Sequence, residues 1–263
     1  MKLNEVIRSG FLFLKKHQNI SPQLDAELLL SKVISKDRKY LFCNENENID
    51  KKKLNEYNDL IKCRSLGKPI AHLLNKKDFW KNEFYVTSDV LVPRPDTEII
   101  IEEILSRTKF KNKINFLDIG AGSGCIILSI LKEKIKFSGV ALDICKKSLE
   151  ICKINAKTLN VSNRIKFFKS DIDNFDYGKY DLVVSNPPYI KSIDLKYLDK
   201  DVKNFEPKLA LNGGIDGLSE IKKVINKTAR LIKRNGLFIL EIAFNQKYKV
   251  INLLTKRGFY INK

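Results

Sequence analysis

The feature that most constrains the fold is an alternation of apolar and amphipathic segments over the second half of the chain. Short apolar runs with strand character are separated by longer segments with helical spacing. The apolar runs cover residues 114–117, 139–142, 165–168, 182–184 and 237–242. Because strands that alternate with helices pair in parallel, the pattern predicts an α/β class with a doubly wound, mostly parallel sheet.

The first part of the chain has a different pattern. Apolar residues recur at helical spacing from Leu3 to Leu14, and Ser21-Pro22 is typical of a helix start. Residues 76–93 then alternate with period two around Lys81-Asn82, which predicts a β-hairpin. We therefore expect a helical domain at 1–75, a hairpin connector at 76–93 and the α/β domain at 94–263.

Composition limits the classes of protein that remain. The chain has 263 residues, of which 43% are hydrophobic, enough for a packed core. No apolar run approaches the roughly 20 residues of a membrane span, and the start Met1-Lys-Leu-Asn-Glu lacks a signal peptide's apolar core, so cytoplasmic residence is expected. Five cysteines without a Cys-x-x-Cys, and only two histidines, predict neither a disulfide framework nor a metal site.

The formal charge of +18 raises the question of a nucleic-acid partner. The lysines are spread over the whole length, however, and lysine, asparagine and isoleucine are all used heavily, as in proteins from AT-rich genomes. We expect no specific nucleic-acid binding. Weak electrostatic attraction to RNA remains open.

A glycine-rich turn follows the first parallel strand. Glycines at a strand-to-helix turn let the backbone approach a ligand. Cys125 stands where a dinucleotide fingerprint needs glycine or alanine, whereas an acid two residues before the first glycine is the spacing of S-adenosylmethionine sites. The residues predicted to bind this cofactor are Asp118, Gly120, Ala121, Gly122, Ser123 and Gly124.

Acids also end the next two strands. Asp143 follows the second strand, where a carboxylate can accept hydrogen bonds from both ribose hydroxyls. Asp171 and Ile172 follow the third, where adenine is usually flanked by an acid and an apolar side chain. Each residue could instead cap a helix or form an ion pair. Their shared position at carboxyl ends of strands favours one ligand site.

The fourth strand stops at Asn186-Pro187-Pro188-Tyr189. Two prolines cannot continue a sheet, and the corner offers mostly acceptors, namely the Asn186 side-chain oxygen and the proline carbonyls. A planar NH2 group needs two such acceptors, and Tyr189 could lie against its flat face. Asn186 is also close enough in the pattern to contribute to the cofactor site. Arg94, in Val92-Pro-Arg-Pro, could face a ligand carboxylate or a surface acid.

With these motifs, the chain resembles the release-factor glutamine methyltransferases, the PrmC/HemK family, over nearly its whole length. Besides the tetrapeptide at 186–189, the resemblance includes Asp25-Ala-Glu, Arg64 with Gly67 and Pro69, the segment at 92–98, Phe205-Glu-Pro207 and Gly213-Gly-x-Asp-Gly217. It implies a class I S-adenosylmethionine-dependent fold and N5-methylation of the glutamine in the Gly-Gly-Gln motif of peptide chain release factors. A monomer is expected.

Carried over to this chain, the resemblance makes Gly120–Gly124 and Asp143 the donor site, Ile172 an adenine contact and Asn186–Tyr189 the glutamine pocket. Three departures stand out: His72-Leu73 replaces Tyr-Ile, Ala243 replaces a glycine, and the two strands that end the family's sheet have no counterpart before Lys263. The strand at 237–242, or its neighbour, is then expected at the sheet edge.

Two other functions fit parts of the pattern. A nucleic-acid amine methyltransferase, acting on adenine N6 or guanine N2, could use the same tetrapeptide with a flipped base stacked on Tyr189. A non-catalytic ribosome- or RNA-binding protein with a relict cofactor fold is the other. The intact glycines and tetrapeptide argue against the second, and the helical N-terminal part argues against the first.

Overall fold

A computed structural model describes residues 1–262. The helices are α1 (Leu3–Lys16), α2 (Pro22–Ile34), α3 (Arg38–Cys43), α4 (Lys51–Ser65), α5 (Ile70–Leu74), α6 (Glu98–Arg107), α7 (Cys125–Glu133), α8 (Lys146–Thr158), α9 (Lys200–Phe205), α10 (Ser219–Leu231) and α11 (Lys247–Lys256). The strands are β1 (Lys76–Phe79), β2 (Asn82–Tyr85), β3 (Asn115–Ile119), β4 (Ser138–Asp143), β5 (Ile165–Lys169), β6 (Tyr180–Ser185) and β7 (Ile232–Leu240).

The chain divides into two compact units. The first comprises Met1–Lys76 together with Asp199–Phe205, and the second comprises Lys77–Leu198 and Glu206–Lys263. The short segment that contains α9 therefore packs with the helical unit, although it lies far along the chain. Directly after α5, the strands β1 and β2 form the predicted two-stranded sheet.

The first unit is a helical bundle around α1, α2 and α4. Their apolar faces, including Leu14, Leu30 and Tyr57, are almost fully buried. Proline at the first turn of α2 is tolerated because its missing N–H has no partner in a helix start. Burying one stripe from each helix explains why their apolar residues recur at helical spacing.

The buried guanidinium of Arg64 joins three parts of this unit. It donates to the Asp25 carboxylate at 2.7 Å and to Asp201 at 2.9 Å. Asp25 and Arg64 are 4% and 7% exposed, so each neutralises a charge that would be costly to bury alone. The Asp25-Ala-Glu and Arg64 motifs thus have a structural role here.

The second unit is built on a five-stranded sheet with the order β5-β4-β3-β6-β7, and every neighbouring pair is parallel. This confirms the predicted fold class. From β3 the chain winds outward through β4 to β5, then returns to place β6 on the other side of β3. The carboxyl ends of β3 and β6 therefore flank the point where the winding reverses, which is where such sheets bind ligands.

Strand β7 is an edge strand, as expected from the sequence. Among the described residues it pairs with β6 alone. Its apolar residues from Leu237 to Leu240 are only half-buried, whereas those of β6 are buried. No helix within residues 1–262 is long and apolar enough to cross a membrane.

Candidate active site

The turn after β3 is held against the neighbouring strand. The N–H groups of Gly120 and Ala121 both donate to the Leu142 carbonyl, at 2.8 and 3.0 Å. Gly120 has φ of 77°, in the left-handed region that favours glycine, and a Cβ added there would have no atom within 4 Å. The backbone at Gly120 is thus exposed to open space at the end of the sheet.

The carboxylate of Asp143 is fixed by backbone donors. One oxygen accepts the N–H of Gly122 at 2.9 Å, and the other accepts the N–H of Cys145 at 2.8 Å. Burial raises the pKa of Asp143, while these two hydrogen bonds act in the opposite direction. Since each carboxylate oxygen has two acceptor sites, one site on each oxygen remains for ribose hydroxyls.

These groups surround a cavity of about 410 Å3, within the range of small-molecule sites. It lies at the carboxyl ends of β3, β4, β5 and β6. The predicted site residues that line it are Gly120, Gly122, Asp143, Asp171, Ile172, Asn186, Pro187 and Pro188. Ile172 is buried and supplies an apolar wall, and Asp171 lies beside it.

The other residues predicted to bind the cofactor are buried and do not line the cavity. Asp118 is 1% exposed and accepts the N–H of Ile127 at 3.2 Å, which ties β3 to the first turn of α7. Burial raises the pKa of this carboxyl to about 7. Ser123 is buried, and a Cβ added to Gly124 would lie 2.5 Å from the Cys152 sulfur. Ala121 is buried as well.

Register places the tetrapeptide beside the glycine turn. Ile119 of β3 lies level with Ser185 of β6, and the Ser185 hydroxyl donates to the Ile119 carbonyl at 2.7 Å. Gly120 and Asn186, the residues that directly follow these two strands, therefore leave the sheet at the same level, and both line the cavity. Asn186 donates from Nδ2 to the hydroxyl of Thr97 at 3.2 Å.

The side chain of Tyr189 does not line the cavity and instead contacts Glu241 and the core around α10 and α11. Its hydroxyl donates to Glu241 at 3.3 Å, and its ring packs against the core around α10 and α11. Burial and the nearby Glu241 carboxylate raise the pKa of this phenol. In this arrangement Tyr189 anchors the tetrapeptide, and its ring is not among the residues that line the cavity.

The loop at residues 213–217 packs closely against the backbone of the same tetrapeptide. A Cβ added to Gly213 would lie 2.8 Å from both the Pro188 carbonyl oxygen and the Tyr189 Cα, so only glycine permits this approach. Gln246, which is 6% exposed, donates from Nε2 to the carbonyls of Tyr189 and Gly217 at 3.1 and 2.9 Å. The glycines of the motif at 213–217 thus position the corner, and no sequence signal pointed to Gln246.

Arg94 pairs with an acid of the same unit. Its guanidinium donates to Glu206 at 2.6 Å, and the Glu206 side chain is 2% exposed. The main-chain N–H of Val92 also lies 3.4 Å from this carboxylate. Arg94 thus pairs with a buried acid of this chain and not with the surface acid that the sequence analysis considered.

The cavity also has walls that the sequence pattern did not predict. Residues 88–91, just before the Val92-Pro-Arg-Pro segment, line one side, and Glu220 and Lys223 of α10 line another. These residues have no motif of their own. They reach the cavity because of strand order and helix packing, which no local pattern encodes.

The parallel sheet with its reversal at β3 and β6, the glycine turn and the acid at the end of β4 together define a Rossmann-like methyltransferase domain. Residues 95–252 match the family model of the methyltransferase small domain, and residues 5–74 match the model of the PrmC N-terminal domain. The chain belongs to the release factor glutamine methyltransferase family.

Relatives with that name come from several bacteria. The protein from Clostridium acetobutylicum is 35% identical over 262 residues, which cover 98% of this chain and 92% of that one. The Buchnera aphidicola protein from Acyrthosiphon pisum is 36% identical, covering 91% and 86%. The Caulobacter vibrioides protein is 32% identical, covering 90% and 82%. The predicted resemblance to this family over nearly the whole chain is thereby confirmed.

Proposed function

We propose that this protein transfers a methyl group from S-adenosylmethionine to the side-chain amide nitrogen of the glutamine in the Gly-Gly-Gln motif of peptide chain release factors. The observation that carries the proposal is the position of Asn186 and Pro187. Both line the cavity at the end of β6, directly beside the glycine turn of β3. An acceptor-rich corner therefore adjoins the candidate donor site.

The residues around the cavity suit the donor. Gly120 leaves room for the backbone to approach a ligand, and Asp143 presents carboxylate oxygens that can accept ribose hydroxyls. Ile172 offers an apolar surface for adenine, with Asp171 beside it. When bound, S-adenosylmethionine supplies an electrophilic methyl group on its sulfonium.

The task of the protein is then to position a poor nucleophile. In our proposal the Asn186 side-chain oxygen and the Pro187 carbonyl accept the two amide hydrogens of glutamine, which turns its nitrogen toward the methyl group. Positioning of this kind can lower a barrier by roughly 7–11 kcal/mol in the most favourable cases. As the nitrogen–carbon bond forms and the sulfur–carbon bond breaks, the amide proton passes to water, so no general base is assigned.

The helical unit is assigned the role of docking the protein substrate. Its partner is a release factor, which also places the activity in the cytoplasm, where translation ends. We expect a monomer, with no requirement for nucleic acid. The sequence boundaries 1–75, 76–93 and 94–263 remain our working division of these roles.

The experiment compares substrates with labelled S-adenosylmethionine. Purified release factor, the same factor with the motif glutamine changed to glutamate, and bulk RNA and DNA are each incubated with the protein. We expect label on the unmodified release factor and none on the glutamate form. Label on RNA or DNA alone would instead support the nucleic-acid amine methyltransferase, and no label on any substrate would support a non-catalytic binding protein.

A further inference from the structure

Asn186 is connected to two residues, Thr97 and Glu241, that do not line the cavity. Thr97 ends the helical turn that precedes α6, and Glu241 directly follows β7. The Asn186 Nδ2 donates to the Thr97 hydroxyl at 3.2 Å, and that hydroxyl donates to Glu241 Oε2 at 2.8 Å. Three segments that are far apart in the chain thus form one line of hydrogen bonds.

The line has a defined direction. The Thr97 hydroxyl donates its single proton to Glu241 Oε2, so that carboxylate oxygen is the acceptor of this hydrogen bond. The Thr97 oxygen is then left as an acceptor, and it is satisfied by an N–H of Asn186. Thr97 is 2% exposed, so water does not compete readily for its hydroxyl.

This direction matters because the two ends of an asparagine amide have nearly the same shape and opposite hydrogen-bonding character. With the nitrogen held by Thr97, the oxygen is directed elsewhere and can accept from a substrate. A flipped amide would present NH2 to the NH2 of glutamine, which places donor against donor. Glu241 also accepts the Tyr189 hydroxyl, so one carboxylate holds both ends of the tetrapeptide.

We infer that Glu241 and Thr97 are positioning residues that fix the orientation of the Asn186 amide, so that its oxygen faces the substrate amide nitrogen; the inference rests on the proposed function. Neither residue has to touch the substrate. Glu241 accepts from the Thr97 hydroxyl and also forms a hydrogen bond with the Asn186 side chain, and Thr97 accepts from Asn186 Nδ2, so both residues hold the nitrogen end of the amide.

The test uses substitutions that keep shape and change hydrogen bonding. Thr97→Val removes the hydroxyl at nearly constant volume, and Thr97→Ser retains it. We expect Thr97→Val to lower kcat for release factor by roughly 10- to 100-fold, since misorientation of a positioning group has effects of that size. Changes in KM and in the Kd for S-adenosylmethionine should stay within about threefold, and Thr97→Ser should recover most of kcat.

A matched control is available at the other end of α6, where Thr108 directly follows the helix as Thr97 directly precedes it. Thr108 is also buried, and its hydroxyl donates to the Ile104 carbonyl at 2.6 Å, away from the cavity. Thr108→Val should lower the melting temperature about as much as Thr97→Val does and leave kcat unchanged. If both valine variants lost kcat in proportion to stability, the relay would be wrong and Thr97 would have a structural role only.

A double mutant separates orientation of Asn186 from any other effect. If Thr97 acts only through Asn186, adding Thr97→Val to Asn186→Ala should cause no further loss of kcat. An additional tenfold loss would overturn the inference. Failure of the proposed function looks different, because the unmutated protein would then not methylate release factor at all, and that result would overturn both proposals.

Discussion

The carboxylate of Asp143 and the N–H of Gly122 form a 2.9 Å hydrogen bond between the end of β4 and the turn after β3. One acid therefore shapes the glycine turn and remains able to accept from a ligand. The donor site is in this sense preorganised before any ligand binds. A substitution of Asp143 should therefore disturb both the glycine turn after β3 and the ligand contacts at the end of β4.

Asp143→Ala should weaken binding of S-adenosylmethionine by a few kcal/mol, roughly what is lost when a charge-assisted hydrogen bond and its partner's pairing are removed. Titration calorimetry measures the change. Asp173→Asn, on the exposed surface of the same unit, is the control. Unchanged affinity in a folded Asp143→Ala protein, or a preference for a nicotinamide dinucleotide, would contradict the assignment.

Gly120 and Gly124 should respond differently to alanine although both have left-handed backbones, with φ of 77° and 81°. At Gly120 a Cβ meets open space, so strain of about 1 kcal/mol and lower donor affinity are expected. At Gly124 it meets the sulfur of Cys152, which adds overpacking of about 1–3 kcal/mol. Thermal melting and calorimetry separate the two, and equal loss of stability would show that the turn tolerates no side chain anywhere.

Asn186→Ala removes one of the two acceptors assigned to the glutamine amide. Turnover should fall roughly 10²- to 10³-fold, as when one preorganised hydrogen bond is lost, while donor affinity falls much less. Single-turnover methylation of release factor measures the effect, with the exposed Asn174→Ala as control. Near-normal turnover by a well-folded Asn186→Ala protein would refute the pocket.

Asp118 gives the unbound protein a pH dependence. Burial raises the pKa of its carboxyl from 3.8 to about 7, so the folded protein binds this proton more tightly than the unfolded chain. The stabilisation of the folded state by this bound proton is complete below pH 3.8. It is lost as the pH rises through about 7, the pKa in the folded protein, and stays lost at higher pH. Asp118→Asn should therefore be more stable than the unmutated protein at pH 8, by at most about 4 kcal/mol, given ~1.4 kcal/mol per pKa unit.

Melting curves at pH 4 and pH 8, without S-adenosylmethionine, test this sign. The gain from Asp118→Asn should be small at pH 4 and larger at pH 8. The exposed Asp194→Asn should show no such difference. A gain that is equal at both pH values would mean that the carboxyl is already neutralised in some other way.

Arg64 should be essential to the helical unit. Arg64→Ala leaves the Asp25 carboxylate buried without its partner, which typically costs about 3–5 kcal/mol. Denaturant unfolding or hydrogen exchange in α1, α2 and α4 measures the loss. The neighbouring Lys62, whose pair with Asp59 is exposed, provides a matched control at Lys62→Ala. Similar unfolding of both variants would show that the buried pair adds nothing.

Much of the second unit could be predicted from local patterns. All five strands of the parallel sheet were predicted within a few residues of their bounds, except that β7 begins at Ile232 and not near Leu237. The pattern works because the apolar period depends on residues close together in sequence. The same holds for the glycine turn, whose residues adopt their left-handed conformations from local geometry.

Side-chain partners across long sequence separations could not be predicted in this way. The pairing of Arg94 with Glu206, the contact of Tyr189 with Glu241 and the packing of residues 199–205 with the helical unit all join segments that are distant in the chain. Nothing in the local sequence around Tyr189 indicates that its hydroxyl faces away from the cavity.

By itself, the sequence determined where the strands end, which residues follow them and that the turn after β3 must be glycine-rich, because these properties depend on neighbouring residues. The tertiary structure alone decided which of those residues meet. Strand order brings Gly120 beside Asn186, and the packing of α6 and β7 brings Thr97 and Glu241 behind it. A hydrogen-bond partner is selected by position in space, and position in space is set by packing of the whole unit.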